Sequence, residues 1–327
     1  MPAGLALGGV GEDDYGRLVV ADTPKLGAGH LLYGLEVVHN DGPWSNPDNF
    51  RKINAVLRYS QGSAQNGFNV TALGYTSKGT ATNQIATRAV VSGLIGRFDT
   101  LDASDGSDSE RYSLAADWRR SWSAGVTRAN AYVIRNELNL YSNFTYLLDD
   151  PVNGDQFEQE DRRVTSGANA SHTWLGSWGG RSIENTIGVQ LQNDNIQNGL
   201  FRNAARQRLS TTRQDHIVES SAGVFIENRT QWLEKFRTVA GVPGDYYRFD
   251  VTSDNPANSG VENDTIFNPK LGLIFGPWAK TEYYLNAGGG FHSNDARGTT
   301  ITLDPGADIG ENLSAGPSAW AGAFQGS

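Results

Sequence analysis

Arg111-Tyr-Ser-Leu-Ala-Ala-Asp-Trp-Arg119 alternates: Tyr112, Leu114, Ala116 and Trp118 fall on one side, and Arg111, Ser113, Ala115, Asp117 and Arg119 on the other. The chain then passes a tight turn, Ser121-Trp-Ser-Ala-Gly125, and returns along residues 132–140. There Tyr132, Ile134, Leu138 and Leu140 oppose Val133, Arg135, Glu137 and Asn139. Two-residue periodicity marks strands with one apolar and one polar face. Strands of soluble proteins usually run about five or six residues, and the runs here approach about twenty, as membrane barrels require.

Working outward, residues 109–146, 160–195, 216–251 and 269–292 each read as a long hairpin with an aromatic turn. The other turns are Gly176-Ser-Trp-Gly-Gly180, Thr230-Gln-Trp-Leu-Glu-Lys-Phe236 and Gly276-Pro-Trp-Ala-Lys280. Alternation recurs in Ile53, Ala55, Leu57 and Tyr59 against Asn54, Val56 and Arg58, and in Ile187, Val189 and Leu191 against Gly188, Gln190 and Gln192. About twelve strands are expected, near residues 17–25, 30–40, 49–59, 67–76, 109–122, 127–146, 160–174, 183–195, 216–229, 237–252, 266–275 and 282–292. Long acidic loops follow Asn40, Thr76, Tyr146, Asn195 and Thr252, and short turns follow Lys25, Tyr59, Trp122, Trp174, Arg229 and Phe275. This strict alternation is the grammar of an antiparallel up-and-down meander. Pro243 interrupts it, because proline removes a ladder donor. The division expected is an irregular segment 1–16, a barrel region 17–298 and an irregular tail 299–327.

Composition narrows the function. The 327 residues carry a net charge of −9, 38% hydrophobic residues and no cysteine. An acidic surface disfavours nucleic acid, whose phosphates need excess Lys and Arg. Without cysteine there are no disulfides, thiolate nucleophiles or Cys-based zinc sites. No run of 18 apolar residues offers a helical span. Met1-Pro-Ala-Gly-Leu-Ala-Leu-Gly-Gly lacks a basic, apolar leader, an awkward fit to an exported barrel.

Several segments are more specific. Gly290-Phe-His-Ser-Asn-Asp-Ala-Arg-Gly298 after Tyr283-Tyr-Leu-Asn-Ala-Gly-Gly289 resembles a segment of TonB-dependent outer-membrane receptors. So do Leu140-Tyr-Ser-Asn-Phe-Thr-Tyr-Leu-Leu-Asp-Asp150, Asn153-Gly-Asp-Gln-Phe-Glu-Gln159, Gly93-Leu-Ile-Gly-Arg-Phe-Asp-Thr-Leu-Asp102 and Asn268-Pro-Lys-Leu-Gly272. The resemblance implies a barrel of roughly 22 strands closed by a plug, importing an iron chelate or similar nutrient with energy from TonB. This chain has about half those strands, no plug-like segment before Arg17, and the ending Phe324-Gln-Gly-Ser327. The expectation is therefore an all-β, antiparallel, up-and-down transmembrane β-barrel region that is a fragment of the larger barrel.

Candidate chemistry is sparse. Asp99, Asp102, Asp105 and Asp108 recur every third residue, as a calcium loop could use, but no Glu closes an EF-hand, and a solvated acidic loop is the plainer reading. Asp149, Asp150, Asp155, Glu158, Glu160 and Asp161 run into Arg162 and Arg163, which reads as ladder-end salt bridging. His30, His39, His172, His216 and His292 show no zinc-motif spacing. His292 and Ser293 are neighbours on opposite faces, which argues against a hydrolase triad. Gly288-Gly-Gly290 lacks the helix and Lys of a phosphate loop, and the tryptophans read as an interfacial girdle before a sugar platform. The sequence thus points to a non-enzymatic receptor without cofactor or metal, set in outer-membrane lipid. Its candidate ligand contacts are Asp99, Asp102, Asp149, Asp150, Arg162 and Arg163, and TonB is a partner of the full-length protein alone. The alternatives are a complete small barrel acting as a passive pore or outer-membrane hydrolase, and a soluble carbohydrate-binding β protein.

Overall fold

The computed structural model describes residues 4–290 and 296–302. The first strands are β1 (Leu5–Val10), β2 (Gly16–Asp22), β3 (Lys25–Leu26), β4 (Gly29–Asn40), β5 (Phe50–Gly62) and β6 (Asn66–Thr80). A short helix α1 (Thr87–Val91) follows, then β7 (Gly106–Trp122), β8 (Gly125–Ser142), β9 (Phe157–Trp178), β10 (Arg181–Ala204) and β11 (Gln207–Leu233). Next come β12 (Phe236–Ser253), a 3₁₀ turn at Pro256–Asn258, β13 (Gly260–Phe267), β14 (Lys270–Trp278), β15 (Thr281–Gly288) and the short helix α2 (Arg297–Thr300). All fifteen strands form one antiparallel sheet in sequence order, from β1 at one edge to β15 at the other. Among the described residues these two edges do not pair with each other, so the sheet is an open arc. Strand β1 lies in the segment expected to be irregular, and residues 303–327 of the expected tail lie outside the described residues, as do His292 and Ser293.

Register carries the two faces across the arc. One row runs Val37–Ile53, then Leu35–Ala55–Gly74 and Leu57–Ala72–Leu114–Val133 beside it. It continues through Ala131–Ala168–Leu191–Ala222 and Ala129–Ala170–Val189–Val224. Leu57, Leu114, Val189 and Val224 are about half exposed, so this outward face is an apolar band with nothing among the described residues packed on these side chains. Polar residues occupy the concave side. Strand β8 departs from the sequence reading: Tyr132 and Ile134 face inward, and Val133 joins the band opposite Leu114. The two-residue turn at Ser123 and Ala124 sets that register, and a one-residue slip would reverse every side chain. Tyr132 fits inside because its hydroxyl donates to Gln192 Oε1 at 3.2 Å.

The long loop expected after Asn195 is not there. β10 and β11 continue for 24 and 27 residues and close through Ala205 and Arg206, both at positive φ (47° and 63°). The sequence signal failed because the alternation changes phase. Up to Leu191 the apolar residues face outward. Beyond it Asn193, Asn195 and Gln197 take the outward face, and Ile196 turns inward to Ile217, Phe249 and Val251. Ala296, beside α2, completes this buried cluster, and Thr300 Oγ1 donates to Asn258 O at 2.8 Å. About 24 residues of strand span roughly 80 Å, far more than an apolar band of about 25 Å. The distal half therefore lies beyond the band: Ile196 and Ile217 pack on the concave side, and Phe201, on the outward parity, is buried beneath the Arg208 guanidinium, whose carbon lies 3.3 Å from its ring centre.

The single strand expected over 266–275 is two, β13 and β14, both paired with β12 and separated at Asn268 and Pro269. Pro243 of β12 pairs with Phe225 on one side, and on the other its carbonyl accepts from Asn268 N at 3.2 Å. In an antiparallel ladder a residue's N–H and C=O point to the same neighbour. The donor that Pro243 lacks is therefore missing at the break, where Pro269 lacks one too.

Candidate functional site

Two polar regions stand at opposite ends of the concave wall. The first is where three consecutive loops meet beyond the strands. The tip of the β10–β11 hairpin reaches the β6–β7 connection, residues 81–105: Arg206 Nε donates to Ser104 O at 2.6 Å, and Nη2 to the carbonyls of Gly79 and Asp105, each at 3.3 Å. Its guanidinium carbon lies 4.9 Å from the Tyr141 ring centre, and its backbone N–H donates to Gln156 Oε1 at 2.7 Å. Between these loops, the β8–β9 connection contributes Asn143 and Gln156. Asn143 N donates to Asp105 Oδ2 at 3.0 Å, Asn143 Nδ2 to Asp102 Oδ2 at 3.0 Å, and Gln156 Nε2 to Asp105 Oδ1 at 3.0 Å. Asp105, Asn143 and Gln156 are almost fully buried.

The two carboxyls of this cluster shift oppositely. Burial pushes Asp105 up, the charge of Asp102 adds to that, and bonds from Gln156, Asn83 and Asn143 only partly offset it. Burial also opposes the charge on Asp102, but hydrogen bonds from Asn143 and Ser104 and the Arg206 charge outweigh it and hold Asp102 below its ordinary value.

The six loop residues expected to meet a ligand are not brought together. Asp102 is spent inside the interlock. Asp99 is half-buried and accepts from Gly96 N at 2.7 Å; bonds from Ser45 and then Gly96 keep its carboxyl low. Asp149 is exposed, and Asp150 turns onto its own loop, accepting from Val152 N at 3.0 Å and Asn153 N at 2.9 Å. Arg162 pairs with Glu160 at 3.0 Å and Arg163 with Asp161 at 3.2 Å. As successive strand residues these two arginines point to opposite faces, Arg163 inward and Arg162 outward beside Glu137. No group of three His, Asp or Glu able to hold a metal occurs among the described residues, so the aspartate series does not converge on a cation.

The second region is a trough of about 620 Å³ in the concave face near the short turns. Two neighbouring cross-strand rows line it. One runs His30–Ser60–Asn69–Asp117–Asn130–Asn169–Gln190. The other runs Gly67–Arg119–Arg128–Ser171–Gly188. Asn169 Nδ2 donates to Asn130 Oδ1 at 2.7 Å. With its amide turned to suit both neighbours, Asn69 donates to Asp117 Oδ2 at 3.1 Å and accepts from Arg58 Nη2 at 3.2 Å. The sequence shows these residues on the polar faces of their strands, yet their meeting depends on register. Counting three residues back from each side of the Ser123-Ala124 turn would have placed Arg119 opposite Arg128.

At the short-turn rim, aromatic and basic side chains pair. The Arg120 guanidinium carbon lies 4.4 Å from the Trp122 ring centre, Arg181 5.6 Å from Trp232, and Lys235 Nζ 5.8 Å from Trp278. Trp178 meets Trp232 edge-on at 6.3 Å.

Comparison with known proteins agrees with this architecture. Among solved structures, the unliganded ferric citrate transporter FecA superimposes with a TM-score of 0.69 at 10% identity, covering 88% of this chain and 43% of that one. The ferric-catecholate import receptor Fiu from E. coli K12 gives 0.68 at 10% identity, covering 90% and 54%. The siderophore receptor PiuA from Acinetobacter baumannii gives 0.65 at 9% identity, covering 84% and 47%. At such identities the likeness is one of fold, and the chain spans about half the length of each. No curated protein sequence matches it. The family model for the TonB dependent receptor-like β-barrel matches residues 38–319, from the end of β4 through β15 and beyond, and the chain belongs to that family.

Proposed function

We propose that this chain forms part of the wall of an outer-membrane receptor that imports an iron chelate or similar scarce nutrient, driven through TonB. The observation that carries the reading is the continuous outward apolar band, bordered at the short turns by Trp122 and Trp232 with basic partners and by Trp178 against Trp232. Soluble monomers rarely expose contiguous apolar patches beyond a few hundred Å², and this band crosses nearly every strand. Aromatic residues at both the edge of such a band and the membrane interface are the barrel pattern. That argues against a soluble carbohydrate binder. The open edges of β1 and β15 would leave unsatisfied backbone groups in lipid, each costing several kcal/mol, so further strands complete the wall. A polar concave face and a family of receptors support transport over catalysis. At the loop end, Asp99, Asp149 and Arg163 are proposed to meet the cargo, whereas Asp102 holds loops together.

The test is uptake of labelled ferric chelates by iron-starved cells making the full-length protein, with and without functional TonB. Uptake that requires both, with the protein in the outer-membrane fraction, supports the reading. Uptake indifferent to TonB, or recovery of the protein in a soluble fraction, overturns it.

A further inference from the structure

The two borders of the outward apolar band differ in charge. On the loop side the outward row Arg51–Lys78–Asp108–Asn139–Glu160 mixes both signs. There Lys78 meets Asp108 at 3.6 Å, Arg162 meets Glu160 at 3.0 Å, and Arg135 pairs with Glu137. The short-turn side is different. From the row Leu57–Ala72–Leu114–Val133 down to the turns, the outward positions of β5 to β12, β14 and β15 hold no Asp or Glu among the described residues. They hold Arg120 and Arg181, and the turns after β11 and β14 add Lys235 and Lys280 against the single carboxylate of Glu234. Carboxylates at this level lie on the concave side instead, where Glu184 meets Arg229 at 3.9 Å and Glu282 meets Arg237 at 2.9 Å. Among the described residues none of the four outward and turn cations forms an ion pair.

Three of these cations are held over indole rings that are themselves fixed. Trp122 Nε1 donates to Thr127 Oγ1 at 3.0 Å and Trp232 Nε1 to Thr238 Oγ1 at 2.8 Å, each bond crossing its turn to the next strand. Arg120 lies over the Trp122 ring and Arg181 over the Trp232 ring, and Lys235 reaches over Trp278 from the neighbouring turn. Arg181 Nε also donates to Trp232 O at 3.3 Å, tying the β9–β10 turn to the β11–β12 turn. A ring face attracts a cation without cancelling its charge, and a guanidinium over a ring keeps N–H groups at its edge for an acceptor. This rim lies on the outward face, so strands that complete the barrel and a plug inside it leave the rim open.

We propose that the short-turn rim binds the phosphate headgroups of anionic phospholipids, gathered on Arg120, Arg181 and Lys235. Lipid is the occupant because the rim continues the apolar band without a break, and its charge complements a phosphate diester. Indole rings settle at headgroup level, basic side chains near that level attract anionic lipid, and guanidinium forks bond phosphate oxygens directly. The mixed border on the loop side offers no such excess of positive charge. This inference rests on the membrane reading above, and adds which headgroup the wall selects and at which of its two borders.

The full-length protein is reconstituted in vesicles of equal parts phosphatidylcholine and phosphatidylglycerol, with bromine on the acyl chains of one lipid or the other. Bromine quenches nearby tryptophan, so the two preparations report which lipid stands beside the protein. The expected result is a preference for phosphatidylglycerol of at least about threefold at low salt, shrinking as salt is raised. The triple variant Arg120→Gln, Arg181→Gln, Lys235→Gln should bring the ratio close to one, whereas Arg120→Lys with Arg181→Lys, which keeps the charge, should hold it within about twofold. The pair Lys78→Gln, Asp108→Asn removes a cation with its carboxylate at the other border and should also leave the ratio within about twofold. The three rim residues are exposed, so the triple variant should keep its heat-modifiable gel shift, which separates lost selectivity from lost fold. Equal quenching by the two lipids in the unaltered protein, or a preference that survives in the triple variant, overturns the site. If brominated phosphatidylcholine quenches the protein as strongly as brominated phosphatidylglycerol, the lipid site falls and the membrane reading stands. If neither lipid quenches it, both fall.

Discussion

The lower and upper halves of the β10–β11 hairpin share one uninterrupted ladder yet invert their polarity. Below Leu191 the outward side chains are Ile187, Val189, Val224 and Ile226, and the concave ones include Gln190. Above it Asn195 and Gln197 face out, and Ile196 and Ile217 face in under α2. Backbone hydrogen bonding is indifferent to this change, since strand pairing depends on register and not on side-chain polarity. What changes is the surrounding medium. A wall in lipid places its apolar groups outward, whereas a projecting hairpin in water must bury them against other parts of the protein.

That contrast can be broken at either half. Val224→Arg, in the centre of the band, should destabilise the folded protein in bilayers by about 2–4 kcal/mol. Gln197→Arg, on the same outward face above the inversion, should change stability by less than about 0.5 kcal/mol. Urea titration in vesicles reads both, and similar losses at the two positions would erase the proposed boundary. Ile217→Ala should cost about 2 kcal/mol or somewhat more through the cavity it leaves. Its effect should be confined to the upper half and visible as faster amide exchange in β11 and β12 above Ser220.

The interlock gives a third, smaller effect. Arg206→Ala removes charge-assisted bonds to Ser104, Gly79 and Asp105 and should raise protease cleavage in residues 143–156 about tenfold. The same cleavage should depend on pH in two directions. Asp105, held above its ordinary value, imposes a penalty while charged, so protection should grow as pH falls from neutral through its raised pKa. Asp102, held low, contributes stability above the ordinary carboxylate value that is lost as pH falls through its depressed pKa. Protection should therefore peak on the acid side of neutrality, and a monotonic profile would show that the two carboxyls do not act oppositely. The smallest expected change is at the hairpin tip. Ala205 holds a left-handed φ of 47°, which Asn tolerates better, so Ala205→Asn should stabilise the tip by up to about 1 kcal/mol. Amide exchange near Ala204 and Gln207 checks it.

By itself the sequence determined the all-β meander, the short Trp-bearing turns and the family likeness, because two-residue periodicity and turn chemistry are local properties. It read the outward faces of β5, β7 and the lower half of β10 correctly from Ile53, Leu114 and Val189. It misread β8, where Tyr132 and Ile134 look like the better apolar face, and it ended β10 at Asn195, where a phase change looks like a loop. Only the tertiary structure decided those points, since they depend on the neighbour across the ladder and on whether lipid or water lies outside. The same holds for the two polar regions. Asp102 looked like a ligand contact until Asn143 and Arg206 arrived from 41 and 104 residues further along. Arg119 and Arg128 look unremarkable until the Ser123-Ala124 turn sets them face to face. Contacts between distant segments are fixed by register and curvature, and those are properties of the whole sheet.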